Sequence, residues 1–307
     1  MLLRKLTFDV TTSVFYSQRE RIYPESVYDV VPHSRVTMMD LFATDQVGLR
    51  LLLPLALVGL LLATEWLVPF RVPIQSRLEH VSTNLVIFGS NSMVAYFLSS
   101  LALLFLSSYV TTEGWGLFSY LRLEPVFNII VSVIALDLIA YGVHRLYHRV
   151  PFLWRLHRAH HSDLDVDSTT SLRFHLGEVL ITIGIKGLSV VLLGISPVGF
   201  LISETVTLAA GLFSHGNLRL PRSLEPRLRL AIVTPTMHWI HHSCRPAEHN
   251  TNLGAVFSGW DRLFGTYSMG VQRDQIKFGL EEYPAPEDVN IFRFYRIPFD
   301  TACRRIQ

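Results

Sequence analysis

The chain has 307 residues, of which half are hydrophobic and only 17% charged, where soluble domains run to roughly a quarter charged. That balance excludes an ordinary soluble domain, and a formal charge of +2 with scattered basic residues sets nucleic-acid binding aside. Two cysteines, Cys244 and Cys303, are too few for a disulfide framework, a four-thiolate metal site or an iron–sulfur cluster.

Residues 1–45 mix charges (Arg4, Lys5, Arg19, Glu20, Arg21) with no continuous apolar core. This differs from the basic-then-apolar start of a cleaved signal peptide, and the segment reads as a tail or interfacial piece. A first membrane span is predicted at 49–68, closing on Glu65 and Trp66 and followed by Arg71 and Arg77, residues that suit a membrane boundary. A second covers 85–106 and a third 125–143, after which the sequence turns abruptly polar in HRLYHR, 144–149.

Residues 176–213 are too long for one span and are broken by Gly194, Ser196 and Pro197, which predicts two helices joined by a tight turn. Each arm carries one charge, Lys186 before the break and Glu204 after it, at similar depth, and an intramembrane charge needs a partner. The two are expected to meet. Arg145, Arg149, Arg155 and Arg158 follow the third span and twelve more basic residues follow the hairpin, so the positive-inside bias turns this face to the cytosol. Three spans before that face would place the N-terminus outside, against which the five basic residues of the first 45 weigh; the orientation of the first span stays open.

Eleven of the thirteen histidines fall between 144 and 249. They form three groups: His144 and His148; His157, His160 and His161; His238, His241 and His242. Positions i, i+3 and i+4 of a helix project from one face, so each group aims its imidazoles in one direction. Eight such donors exceed what a single ion with an open position uses, and two metals follow more naturally than one. Imidazole suits iron, zinc, copper or nickel, and the ligand type leaves the metal open. The His-Glu-x-x-His of zinc proteases is absent, as is the carboxylate-rich pattern of soluble di-iron bundles.

His-x-x-x-His, then His-x-x-His-His, then a second His-x-x-His-His around a membrane hairpin resemble the fatty acid hydroxylase and sterol desaturase superfamily. Four segments support the likeness: DLIAYGVHR (137–145), LRFHLGE (172–178), FSHGN (213–217) and WDRLFGTY (260–267). The resemblance implies a di-iron site, with zinc as a substitute in isolated protein, that activates O2 to oxidise a lipid by hydroxylation, desaturation or ether-lipid cleavage. It also implies a ninth ligand at His215. An electron donor must be separate: a ferredoxin, cytochrome or reductase.

The expected fold class is therefore all-α, a polytopic membrane helical bundle with a cytosolic-face helical cap carrying the histidine-rich di-metal site. The expected divisions are a tail (1–45), an N-terminal transmembrane region (46–124), a fatty acid hydroxylase-like catalytic domain (125–270) and a C-terminal tail (271–307). His175 and Glu178, one helical turn apart, are expected beside the ligands or facing substrate, since a ligand histidine orients best when its other nitrogen meets a carboxylate or carbonyl. Asp137 and Tyr141 share a helical face with His144 and His148, where either would fix a ligand tautomer; a satisfied buried group is the other reading of Asp137.

Asn217 and Asn252 match polar family positions, with turn formation as the equal reading. His249 stands where the family pattern suggests an acidic residue. His33 and His80 lie outside every motif and read as surface or interfacial, while Trp260, Asp261 and Arg262 read as packing and an ion pair. Two other functions fit less well. A membrane metal carrier places its ligands inside the spans, and a zinc-dependent lipid hydrolase needs fewer histidines and a general-base carboxylate near the metal. Which lipid is oxidised, and whether by hydroxylation or desaturation, is not written in these residues.

Overall fold

The computed structural model describes residues 56, 58–271 and 273–300. The tail at 1–45 with His33, the start of the first span and Cys303 lie outside these residues. In chain order the helices are α1 (Val58–Leu67), α2 (Arg77–Ile87), a π-helical stretch (Phe88–Met93), α3 (Val94–Thr112), α4 (Pro125–Arg149), α5 (Pro151–His161), α6 (Leu176–Leu193), α7 (Pro197–His215), α8 (Pro235–His241) and α9 (Ile291–Arg296). One-turn helices punctuate the loops, and no strand occurs among the described residues beyond isolated bridges such as Pro69 with Leu218.

Helix starts follow local chemistry. Proline opens α4, α5, α7 and α8, where its missing N–H is one the helix cannot use. Ser196 caps α7 by accepting from the Gly199 N–H at 3.1 Å. Gly194 closes α6 at φ 73°, and a Cβ on Gly116 would sit 2.2 Å from the Gly194 nitrogen. Only glycine permits that crossing of the two turns.

Helices α4, α6 and α7, of 25, 18 and 19 residues, are long and apolar enough to cross a membrane. Val126, Phe127, Ile130, Ile134, Leu180, Leu188 and Leu192 are exposed on them, as lipid-facing surfaces are. Leu136, Val190 and Phe200 on their inner faces pack with Leu103 and Leu104 of α3, with Phe118, and with Ile195 of the hairpin turn. Asn128 ties α4 to the hairpin turn, donating to the Gly194 carbonyl (3.3 Å) and accepting from the Ser196 N–H (3.1 Å). The hairpin forms as expected, and Lys186 Nζ meets Glu204 Oε1 at 2.7 Å.

Two expected spans are longer than their apolar stretches. The second is part of a helical run over residues 77–112, because His80 and Asn84 on its first turns face a buried polar network. The third continues to Arg149, since the sequence offers no helix breaker until Pro151 and the inward face stays committed through His148.

The expectation for His80 is corrected by that network. It is 4% exposed, with Nε2 2.8 Å from Asp163 and Nδ1 3.1 Å from Asp167. Burial works against its charge, but the two carboxylates outweigh it and hold His80 well above its ordinary range. Asn84 and Arg173 extend the network, which lies under the cap formed by Trp154, Leu164, Leu280, Tyr283, Val289, Phe294 and Ile297.

Candidate metal centre

Four pieces of chain bring nine histidines to one end of the bundle. Helix α4 supplies His144 and His148 from its last turns, α5 supplies His157, His160 and His161, α7 ends on His215, and α8 with its C-terminal cap supplies His238, His241 and His242. They sort into two groups: His144, His148, His157, His161 and His241 in one, and His160, His215, His238 and His242 in the other. Within each group the candidate ligand atoms lie within 4.8 Å of one another. Both His-x-x-His-His motifs straddle the groups. The i and i+4 histidines of α5 go to the first and the i+3 member to the second, and α8 does the reverse.

The ring nitrogens show what this geometry is suited to hold. His144 and His161 place Nε2 3.1 and 3.2 Å from His157 Nε2. His215 does so with His160 at 3.2 Å and His238 at 2.9 Å, and His242 with His238 at 3.2 Å. All five contacts lie inside a group and none between groups. Nitrogens sharing one ion at about 2.1 Å stand roughly 3.0–3.4 Å apart, a spacing these contacts fit.

The opposite nitrogens fix the tautomer. Nδ1 donates to the Leu253 carbonyl from His144 (2.8 Å), to Arg173 from His160 (3.2 Å), to Gly211 from His215 (2.8 Å) and to Thr251 from His241 (3.0 Å). His157 Nδ1 donates to Glu178 Oε1 at 2.8 Å. With the proton on Nδ1, Nε2 presents its lone pair inward. Nε2 of His241 and both ring nitrogens of His148 are buried without a hydrogen-bond partner. Such atoms are costly unless a ligand satisfies them. Burial first, then neighbouring imidazoles, push His160, His161, His238, His241 and His242 well below their ordinary value. They are neutral at pH 7, the form that binds metal.

The remaining candidates separate. Glu178 touches a ligand-group ring, as above. Asp137 and Tyr141 do not: neither fixes a ligand tautomer, and of the two readings of Asp137 the satisfied buried group is the one observed. Asp137 accepts from the N–H groups of Val256 (2.9 Å) and Phe257 (3.0 Å) and from Trp260 Nε1 (2.8 Å). Tyr141 bonds Thr266 Oγ1 at 2.9 Å and stacks on Phe264. His175 caps α6 and lies beside Phe294, Tyr295 and Phe299 rather than any ligand-group ring. Asn217 binds the Arg71 backbone from both ends of its amide, and its N–H donates to Glu65.

Asn252 adopts a left-handed turn (φ 54°) and bridges Met237 to Ser268. Asp261 accepts from Leu253 and Gly254 N–H groups and Thr266, while Arg262 donates to the Ser258 and Arg229 carbonyls; no ion pair joins the two. His249 stacks on Trp154 at 5.1 Å, with its ring 6.0 Å from those of His148 and His161, outside both groups. Sequence reasoning missed Phe174, stacked on His160 at 4.6 Å, and Tyr147, stacked on His157 at 5.4 Å. Both neighbour a motif, and nothing in their type distinguishes them from core aromatics.

Fold and site together define a membrane protein whose helix ends assemble two adjacent all-histidine clusters of ion-binding dimensions. The comparisons add a likeness: residues 129–266 match the fatty acid hydroxylase family model. It is 34% identical over 141 residues to ornithine lipid hydroxylase OlsE of Rhizobium tropici, covering 46% of this chain and 42% of that protein. It is 24% identical over 246 residues to human alkylglycerol monooxygenase, covering 80% of this chain and 51% of the relative. To cholesterol 25-hydroxylase of Rattus norvegicus it is 24% identical over 140 residues, 45% of this chain and 46% of the relative. The chain thus spans about half or less of the length of these relatives. No solved structure matches it.

Proposed function

We propose that this chain is a multi-pass membrane oxidoreductase that hydroxylates a lipid with O2, using two iron ions held by the nine histidines and electrons from a separate donor protein. The observation that carries the reading is the partition of five Nε2–Nε2 contacts into two groups, none of these five crossing from one group to the other. Two adjacent ions, rather than one, account for that partition. The relatives named as hydroxylases and monooxygenases of lipids support the reaction class, and the membrane helices support a lipid substrate. Iron, when bound, would supply the oxygen activation that an unactivated C–H bond requires. The balance is one C–H bond and O2, with two electrons and two protons, giving a C–OH group and water.

The protein's own part is position. Glu178 and four backbone carbonyls hold the Nδ1 protons of five rings, which keeps Nε2 free on the inward side. Trp154, Phe174 and Tyr147 wall the rings against water. The histidines occupy the ends of α4 and α7, so an acyl or sterol chain entering from the bilayer reaches them with its head group at the interface. The basic residues that follow those ends favour a cytosolic site.

A zinc hydrolase is disfavoured because nine clustered histidines exceed what a catalytic zinc with an open position uses. A metal carrier is disfavoured because the rings sit at helix ends, not midway along them. The test is mass spectrometry of lipid extracts from cells with and without the gene. A lipid class gaining one oxygen supports hydroxylation, loss of two hydrogens makes the chain a desaturase, and an unchanged lipid profile despite iron-loaded protein overturns the assignment.

A further inference from the structure

Where α1 and α7 end, the chain enters an arginine–leucine segment, 218–230, that the metal centre does not use. Its backbone is anchored beside α1, through the Pro69 to Leu218 bridge and the Phe70 N–H on the Asn217 carbonyl at 3.2 Å. Arg219, Arg222 and Arg227 are exposed and Arg229 half-buried, and none has a carboxylate within ion-pair distance among the described residues. The segment's one carboxylate, Glu225, is buried and committed to Arg273 and to the Thr234 hydroxyl. Arg219 lies over the Phe70 ring at 5.7 Å.

Apolar side chains stand open between these charges: Leu224 at 41% exposure and Leu230 at 70%. The patch continues onto Gly259–Leu263, because the Arg229 carbonyl accepts from Ser258 and Arg262, and there Leu263 and Phe264 are also exposed. Arginines without counter-charges interleaved with exposed leucines, just past the end of the membrane-length helix α7, match the layering of an interface: acyl chains below, anionic head groups above.

We infer that residues 218–230, with Leu263 and Phe264, form a collar that binds the anionic phospholipid surface of the bilayer. The inference rests on reading the long apolar helices as membrane spans, and its occupant is the phosphate-bearing lipid head group in its membrane rather than free phosphate. Phe264 stacks on Tyr141 of α4 at 5.2 Å, one helical turn from His144, so a lipid held at the collar lies beside the ligand-bearing helix.

The test uses the full chain in nonionic detergent and native mass spectrometry with dioleoyl phosphatidylglycerol and dioleoyl phosphatidylcholine at equal concentration. The anionic lipid is expected to bind at least tenfold more tightly. A basic residue at an anionic surface contributes about 1 kcal/mol, a fivefold change in affinity. Arg222→Gln and Arg227→Gln should each weaken that lipid by about that factor, and combining Arg219→Gln, Arg222→Gln, Arg227→Gln and Arg229→Gln should abolish the preference. Arg293→Gln with Arg296→Gln, on α9, should leave it intact. Equal binding of the two lipids, a preference that survives the fourfold change, equal loss in the α9 control, or displacement by millimolar inorganic phosphate each overturns the collar. Release of the chain from membranes by alkaline carbonate overturns the membrane reading itself, which separates the two failures.

Discussion

Glu178→Leu should strip one metal position and spare the other. Glu178 Oε1 sits 2.8 Å from His157 Nδ1 in a buried pair, and His157 Nε2 touches both His144 and His161. Without the carboxylate the His157 ring loses its tautomer lock and its orientation, and two neighbours of the five-histidine group lose their register. Removal of such a partner costs about 10–100-fold in metal affinity, or roughly 1.4–2.7 kcal/mol. The four-histidine group has no hydrogen bond to Glu178 and should retain its metal affinity. Glu178→Gln retains an acceptor oxygen without the charge and should lose about tenfold at most. The assay is plasma mass spectrometry of metal per chain during titration with a chelator. Wild-type chain should release its two ions in one range, and Glu178→Leu should release one of them at 10–100-fold lower chelator. Equal release of both ions from wild type and Glu178→Leu would refute the reasoning.

Further outcomes follow from the buried charges. Lys186→Met removes the ammonium that meets Glu204 in the hairpin and should destabilise the fold by about 3 kcal/mol, whereas Lys186→Met with Glu204→Leu should recover most of that, read by thermal unfolding in detergent. His80→Leu removes the imidazolium from between Asp163 and Asp167 and should cost about 3 kcal/mol by the same measurement, part of it regained with Asp163→Asn. The metal-free protein should lose stability as pH falls below about 6.5, where unfolded histidines take up protons that the depressed cluster refuses, each contributing up to about 1.4 kcal/mol per pH unit. His80 opposes this trend, its own contribution being present at low pH and lost as pH rises through its elevated value. Metal loading should move the decline to lower pH, and a metal-free midpoint flat between pH 7 and 5 would contradict the burial of neutral rings.

The sequence carried the centre further than its surroundings. Helical spacing alone brought His157, His160 and His161 to one face, and the family likeness drew in His215. Spacing could not show that each His-x-x-His-His motif divides between two groups, because the division depends on how α5 and α8 face one another. The Lys186 and Glu204 pair was legible because a hairpin places equal distances from its turn at equal depth. His80 was not, since its partners Asp163 and Asp167 lie more than 80 residues away and only folding juxtaposes them. Between the two readings of Asp137 the sequence could not choose for the same reason: its helical face is shared with His144, but three donors from 256–260 claim its oxygens and make it a satisfied buried group. The carbonyls of Leu253, Arg173, Gly211 and Thr251 that hold the ligand rings carry no signature at all, because every residue has one.

The most direct measurement is the metal content of the purified full chain loaded with ferrous iron, compared across variants of each group. The account predicts two irons per chain, one after His238→Ala with His242→Ala, and one after His148→Ala with His161→Ala. A single iron in the unaltered chain, or both ions lost together from either variant while the helical fold persists, would contradict two separate histidine-built sites.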